Sequence, residues 1–240
     1  MSDSPGADSP ETGDSEISRR SLIASAGVAL VGGSGLVTTL PAVAAEAAGS
    51  GDKVAVGERG TTVVEFSSRI AQTGSSGEDF TSYGYLTRVA GVTQSRLFAG
   101  PSQTVSAARL TAYASGTLSA RFVDQAVHSI DIAGELVVYQ RDTPGADFAH
   151  PNSFRVGTVV ARYDVRLLDV LTVIAPGQGL PTLIGDMNQT RAHDLSSPFA
   201  SRRFGAQGQR LRFQATGIGS LTDPATLNSL HEIAGCWSVE

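Results

Sequence analysis

The feature that most constrains the fold is a strict alternation of residue types over positions 108–122. One set of alternate positions is apolar or small: Ala108, Leu110, Ala112, Ala114, Gly116, Leu118, Ala120 and Phe122. The positions between them carry arginine, serine, threonine and tyrosine. A strand places such a set on one face, whereas a helix would spread it around its circumference. The segment is therefore predicted to be a long β-strand with one buried face.

Similar alternation recurs along the chain and predicts eight strands. They are expected near 61–71, 81–90, 107–123, 127–141, 154–174, 182–194, 209–220 and 229–239. Turn-forming residues such as Asp124-Gln125 and Pro176-Gly177 separate most of them. In 154–174 the polar positions change phase at Leu167-Leu168, which predicts a β-bulge there.

Eight successive strands with short connections favour an all-β fold, an eight-stranded antiparallel β-barrel formed by a single domain over 61–240. Closure of the sheet removes the edges that would otherwise pair with other chains. A β-sandwich is the alternative, since it shows similar alternation. In strand number and length the pattern resembles the calycin-like barrels, which include the lipocalins and the allene-oxide-cyclase and dirigent group. The lipocalin Gly-x-Trp near the first strand is absent, and the resemblance implies function by analogy only.

Residues 1–44 follow the order of an export signal. Ser18-Arg19-Arg20-Ser21 precedes a stretch without charge, which ends in Ala42-x-Ala44. This order resembles a twin-arginine (Tat) signal peptide. The resemblance implies that the Tat export machinery carries the folded protein across the membrane, that cleavage follows Ala44, and that the protein is secreted or lies in the cell envelope.

The sequence after Ala44 is expected to begin with a flexible tether over 45–60, which is rich in alanine, glycine and serine. No transmembrane anchor is expected after cleavage. The charge-free stretch 170–185 is the best candidate for one, and Pro176 and Pro181 interrupt it.

Charge and cysteine content narrow the classes of partner and cofactor. The chain has 18 basic and 23 acidic residues, a net charge of −5, which argues against a nucleic-acid partner. Its single cysteine forms no intrachain disulfide and supplies no multi-cysteine metal site. No P-loop, His-Glu-x-x-His or Gly-x-Ser-x-Gly motif occurs, and the four histidines lie far apart. No cofactor and no metal site are therefore expected.

Five residues are candidates for ligand binding. The segment 182–194 has polar residues on both faces, so either orientation in a barrel places polar groups inside. The orientation that turns Asp186 and Asn188 inward is favoured because it buries no arginine. The alternative is a strand whose polar groups face solvent. Tyr83 and Tyr85, which flank Gly84, and Glu65 complete the set.

Three functions are consistent with these residues. The first is binding of a small apolar or amphipathic molecule inside the barrel, with space beside Ala108, Ala112 and Ala114. The second is a cofactor-independent isomerase or cyclase of the allene-oxide-cyclase type, with Asp186 or Glu65 handling a proton. The third is a cell-envelope interaction module without a cavity. A carboxylate buried alone in a cavity would favour the second, and a filled interior would favour the third.

Overall fold

The computed structural model of the chain describes residues 52–240, which form a closed antiparallel barrel of eight strands. In chain order the strands are β1 Lys53–Val54, β2 Thr62–Thr73, β3 Asp79–Val89, β4 Leu110–Asp124, β5 Val127–Gln140, β6 Thr158–Ala175, β7 Gln178–Ala192, β8 Arg203–Phe204, β9 Arg210–Asp223 and β10 Asn228–Val239. The barrel runs β10-β2-β3-β4-β5-β6-β7-β9, and β1 pairs with β8 outside it. Helix is confined to α1 Gln94–Leu97 and the 3₁₀ turns Val105–Ala107 and Pro151–Arg155 within the described part of the chain. The predicted eight-stranded all-β barrel is confirmed, and its closure excludes the sandwich.

The two ends of the barrel differ in how their strands are connected. At one end, short turns of two to five residues join β2 to β3, β4 to β5, β6 to β7 and β9 to β10. At the other end, the connections 90–109, 141–157 and 193–209 are long and cross the barrel or its outer face. We call the first the open end and the second the closed end. A long connection carries its own apolar side chains, so it can cover a barrel end in a way that a short turn cannot.

The closed end is filled by large aromatic side chains from four strands. Trp237 lies 6.0 Å from the ring of Phe66 and 5.6 Å from that of Tyr163, and Phe66 stacks on Phe213 at 5.3 Å. The space predicted beside the small residues of β4 is occupied by this cluster, because a void of only about 20 Å³ remains there. The small residues of β4 are thus matched by large ones opposite, as close packing requires.

The start of the domain lies earlier than the sequence predicts. Val54 and Ala55 are fully buried, and Val54 pairs in parallel with Phe204. The expectation of a flexible tether over 45–60 is therefore wrong from Lys53 onward, because these apolar residues join the core. Residues 45–51, like the predicted signal residues Arg19, Arg20 and Ala44, lie outside the described residues.

The predicted β-bulge at Leu167-Leu168 is also wrong. Both neighbouring strands pair with β6 across this point without a change of register. The polar residue that breaks the pattern, Asp169, lies on the inward row and is 5% exposed. The phase change in the sequence thus marks an acidic group inside the barrel.

Candidate functional site

The candidate site is a cavity of about 280 Å³ inside the open end of the barrel. Its wall is mainly apolar and includes Val123, Ile130, Leu171, Val173, Leu221 and Leu227. Inward positions of β7 and β9 are glycines here, Gly179 and Gly219, so no side chain from these positions fills the space. The volume lies near the lower limit for small-molecule sites, which suits a compact ligand.

One side of this cavity carries a row of three hydrogen-bonded polar side chains, Gln72, Ser229 and His231, which we call the polar row. All three are at least 93% buried. The Ser229 hydroxyl donates to Oε1 of Gln72 at 3.0 Å and lies 2.8 Å from Nε2 of His231. Nε2 of Gln72 donates to the carbonyl oxygen of Gly77 at 2.6 Å. The row begins on β2 and continues on β10, and the turn after β2 anchors one end.

These bonds fix the proton on the His231 ring. Because the Gln72 amide nitrogen donates to Gly77, the amide oxygen faces Ser229 and accepts its only hydroxyl proton. The Ser229 oxygen then accepts from Nε2–H of His231, and Nδ1 is left as an acceptor. Burial lowers the pKa of His231, which favours this neutral ring.

Gly219 makes room for the imidazole of His231. A Cβ at this position would lie 2.5 Å from Nδ1, so any larger residue displaces the ring. Among the described residues no donor lies within hydrogen-bond distance of Nδ1. The cavity therefore has an acceptor without a protein donor among the described residues, on a mainly apolar wall.

The entrance carries a cationic side chain, Arg121. Its guanidinium donates to the carbonyl oxygens of Ser76 at 3.2 Å and Gly77 at 3.1 Å. No described carboxylate forms an ion pair with it. The turn that presents these carbonyls is held by Glu78, whose pKa is lowered to about 2 by hydrogen bonds from the backbone and side chains of Ser75 and Ser76.

Asp169 places a carboxyl group on the inward row of β6, between Leu167 and Leu171. Its cross-strand partners are Ile130, which lines the cavity, and Leu183. Burial raises the pKa of Asp169 to about 7, although a hydrogen bond from the Thr182 backbone acts in the opposite direction. Oδ1 of this carboxyl has no partner among the described residues. Burial thus keeps the proton on this carboxyl to a higher pH than on a solvent-exposed aspartate.

Exposed apolar side chains surround the open end. Of the ten large apolar residues that are exposed within 52–240, nine lie in this half of the barrel: Phe122, Val123, Val127, Leu168, Ile174, Leu180, Ile218, Leu221 and Leu227. Phe122 is the most exposed, at 68%. Three of them, Val123, Leu221 and Leu227, also line the cavity.

The favoured orientation of 182–194 is wrong. Asp186 and Asn188 are exposed on the outer face, and Asp186 pairs with Arg212 at 2.7 Å. Leu183, Met187 and Gln189 are the inward residues, each at most 1% exposed.

The reason is a bulge near the end of β7. Arg162 pairs with Arg191 whereas Tyr163 pairs with Gln189, so Thr190 is an extra residue. This residue turns Arg191 out into solvent. The inward orientation of Gln189 thus buries no arginine. This orientation was disfavoured from the sequence because it was expected to bury one.

The other candidates also lie outside the barrel. Tyr83 and Tyr85 are covered by the long connection between β5 and β6, with ring centroids 6.1 and 6.3 Å from that of Phe148. Glu65 is exposed and pairs with Arg88 at 3.1 Å. Thus Asp186, Asn188, Tyr83, Tyr85 and Glu65 do not line the cavity.

Sequence reasoning missed the polar row and Asp169. The signal for the row was a serine and a histidine two positions apart in the last strand, which share one face. The signal for Asp169 was the phase change that was interpreted as a bulge. Neither signal distinguishes a functional site from an ordinary buried polar group. That distinction requires knowing which residues of the other strands face these groups across the barrel.

The fold and site define a closed eight-stranded antiparallel β-barrel with a mainly apolar cavity at one end. Compared with known protein families, curated proteins and solved structures, the chain matches none. Over residues 52–240 no group of three or more His, Cys, Asp or Glu side chains is placed to hold a metal ion. In the same range no helix has both the length and the apolar character needed to cross a membrane.

Proposed function

We propose that the protein binds a small apolar or amphipathic molecule in the open-end cavity. The observation that carries this proposal is the contrast in packing between the two halves of the barrel. Two other voids in the described interior are about 20 and 50 Å³, whereas the open-end cavity is about 280 Å³ and mainly apolar. Protein interiors are normally close-packed, so a cavity of this size supports a role in holding a ligand.

The test fills the cavity with a side chain. Val173 lines the cavity, and the adjacent Thr172 points to solvent. We expect Val173→Trp to weaken binding of the apolar probe 2-methylnaphthalene at least tenfold. Thr172→Trp is the matched control and leaves binding unchanged. Binding is followed by amide chemical shifts, which move near Leu171 and His231 in the wild type. The proposal fails if the wild type does not bind, or if Val173→Trp binds as the wild type does.

We further propose that the Tat machinery exports the protein to the cell exterior or envelope and that cleavage follows Ala44. The support is the order of Arg19-Arg20, uncharged stretch and Ala42-x-Ala44. Changing Arg19 and Arg20 to lysine is expected to retain the protein in the cytoplasm. Changing two exposed arginines of the domain, Arg59 and Arg96, to lysine is the control. Unaltered secretion of the first variant would reject this route, and the intact mass of the secreted chain gives the cleavage site.

A second candidate function is favoured by Asp169. A carboxyl group that is buried on the inward row with a raised pKa is suited to proton transfer in a cofactor-independent isomerase or cyclase. Asp169 pairs with the cavity-lining Ile130 but does not itself line the cavity, and in this candidate function it takes the role that the sequence gave to Asp186 or Glu65. A molecule extracted from the purified protein would be incubated with fresh protein and analysed by chromatography. Conversion to an isomer of equal mass, lost in Asp169→Asn while binding is kept, would establish the enzyme. Recovery of the unchanged molecule would reject the enzyme and leave binding as the only supported function.

A further inference from the structure

We propose that Nδ1 of His231 selects ligands that carry a neutral hydrogen-bond donor, so that the preferred class is small apolar alcohols and phenols. This inference rests on the proposed binding function and adds the chemical group that the site recognises. It starts from the hydrogen bonds of the polar row and from the absence of a protein donor for Nδ1 among the described residues.

The direction of the polar row is set from the turn after β2. Gly77 offers only a carbonyl oxygen to Gln72, so the amide nitrogen faces the turn and the amide oxygen faces Ser229. Each later bond then has one possible direction, and the last lone pair in the series is on Nδ1 of His231. A ligand that donates a hydrogen bond satisfies this atom, whereas a ligand with acceptors alone leaves it unpaired.

Within residues 52–240 the cavity wall offers no cation that is available to pair with an anion, and this favours a ligand with a neutral donor. Among the described residues, Arg121 is the only arginine or lysine that lines the cavity, and it is already bonded to two carbonyl oxygens at the entrance. A carboxylate beside His231 would bring its lone pairs against that of Nδ1 and would lose its hydration in a mainly apolar space. An alcohol or phenol loses less hydration and supplies the missing proton.

The experiment compares three probes of similar shape: 2-naphthol, 2-methylnaphthalene and 2-naphthoate. The measured quantity is the ratio of the Kd for 2-methylnaphthalene to that for 2-naphthol. We expect His231→Leu to lower this ratio about fivefold, as for loss of one hydrogen bond. Ser229→Ala, which removes the acceptor that holds the proton on Nε2, is expected to lower it in the same direction. Ser238→Ala, at the closed end of β10, is the control and leaves the ratio unchanged.

A spectroscopic measurement keeps the inference testable if the variants fold poorly. The ¹⁵N shifts of the wild-type His231 ring should report a protonated Nε2 and an unprotonated Nδ1. The Nδ1 signal should shift on addition of 2-naphthol and much less with 2-methylnaphthalene. A proton on Nδ1 in the free protein would overturn the inference.

The outcomes distinguish failure of this inference from failure of the proposed binding function. If neither neutral probe binds, the proposed function fails and this inference fails with it. If both bind and the ratio is the same in wild type and His231→Leu, only the inference fails. Tighter binding of 2-naphthoate than of 2-naphthol would also overturn it, because the recognised group would then be an anion.

Discussion

Replacement of Asp169 by asparagine should change the pH dependence of stability in a defined direction. Raising the pKa of a carboxyl from 3.8 to about 7 disfavours its ionised form by about 4 kcal/mol in the folded chain. Below about pH 4 the group is protonated in both the folded and the unfolded chain, so it has no effect. Between about pH 4 and 7 the unfolded chain loses the proton and the folded chain keeps it, so stability falls as pH rises. Above about pH 7 the full loss is present.

Asparagine has a similar shape and no charge, so Asp169→Asn should remove this loss. Urea unfolding should therefore give similar free energies for wild type and variant near pH 4, and a variant that is more stable by up to about 4 kcal/mol at pH 8. Asp164→Asn, on the outward face of β6, is the control. The difference between wild type and variant isolates Asp169 from His231, whose lowered pKa acts in the opposite direction on acidification. An Asp169→Asn variant whose stability relative to wild type does not depend on pH would refute the reasoning.

Three further predictions concern the packing of the barrel. Trp237→Ala should lower the free energy of unfolding by about 3–5 kcal/mol, measured by denaturant titration, because it empties the aromatic cluster of the closed end. Asp186→Asn should change stability by less than about 1 kcal/mol in the same titration, since its ion pair is largely exposed, and a larger change would contradict the outward orientation. Gly219→Ala should displace the His231 ring, cost about 1–3 kcal/mol and weaken binding of 2-naphthol. Gln214→Ala, at an exposed position of β9 that does not line the cavity, should do neither, and calorimetry measures both quantities.

The strands were predictable because each one has a buried and an exposed face. Apolar and polar residues therefore alternate with a period of two in the sequence, and this alternation does not depend on which strand is the partner. All eight predicted strands occur in the barrel. The position of the cavity was not predictable in this way. The small residues of β4 indicated space, but Trp237, Phe66 and Phe213 from other strands occupy it. Whether a small residue leaves a cavity depends on what lies across the barrel.

The site residues were misassigned for a related physical reason. One extra residue near Thr190 changes which residues of β7 face inward, and a bulge of this kind leaves no reliable mark in a polar segment. At Asp169 a bulge was predicted where the strand is regular. An inward acidic residue in a regular strand gives the same sequence pattern as a bulge. Both cases are decided by pairing with neighbouring strands, and a single sequence does not contain that pairing.

A crystal of the protein soaked in iodobenzene tests the central claim most directly. The iodine atom gives an anomalous signal that locates the probe without reference to the protein density. The cavity is expected to hold the iodine between Leu171, Val173 and the ring of His231. Signal confined to the exposed apolar residues of the outer face, with none inside the open end, would contradict the claim that this cavity is a ligand site.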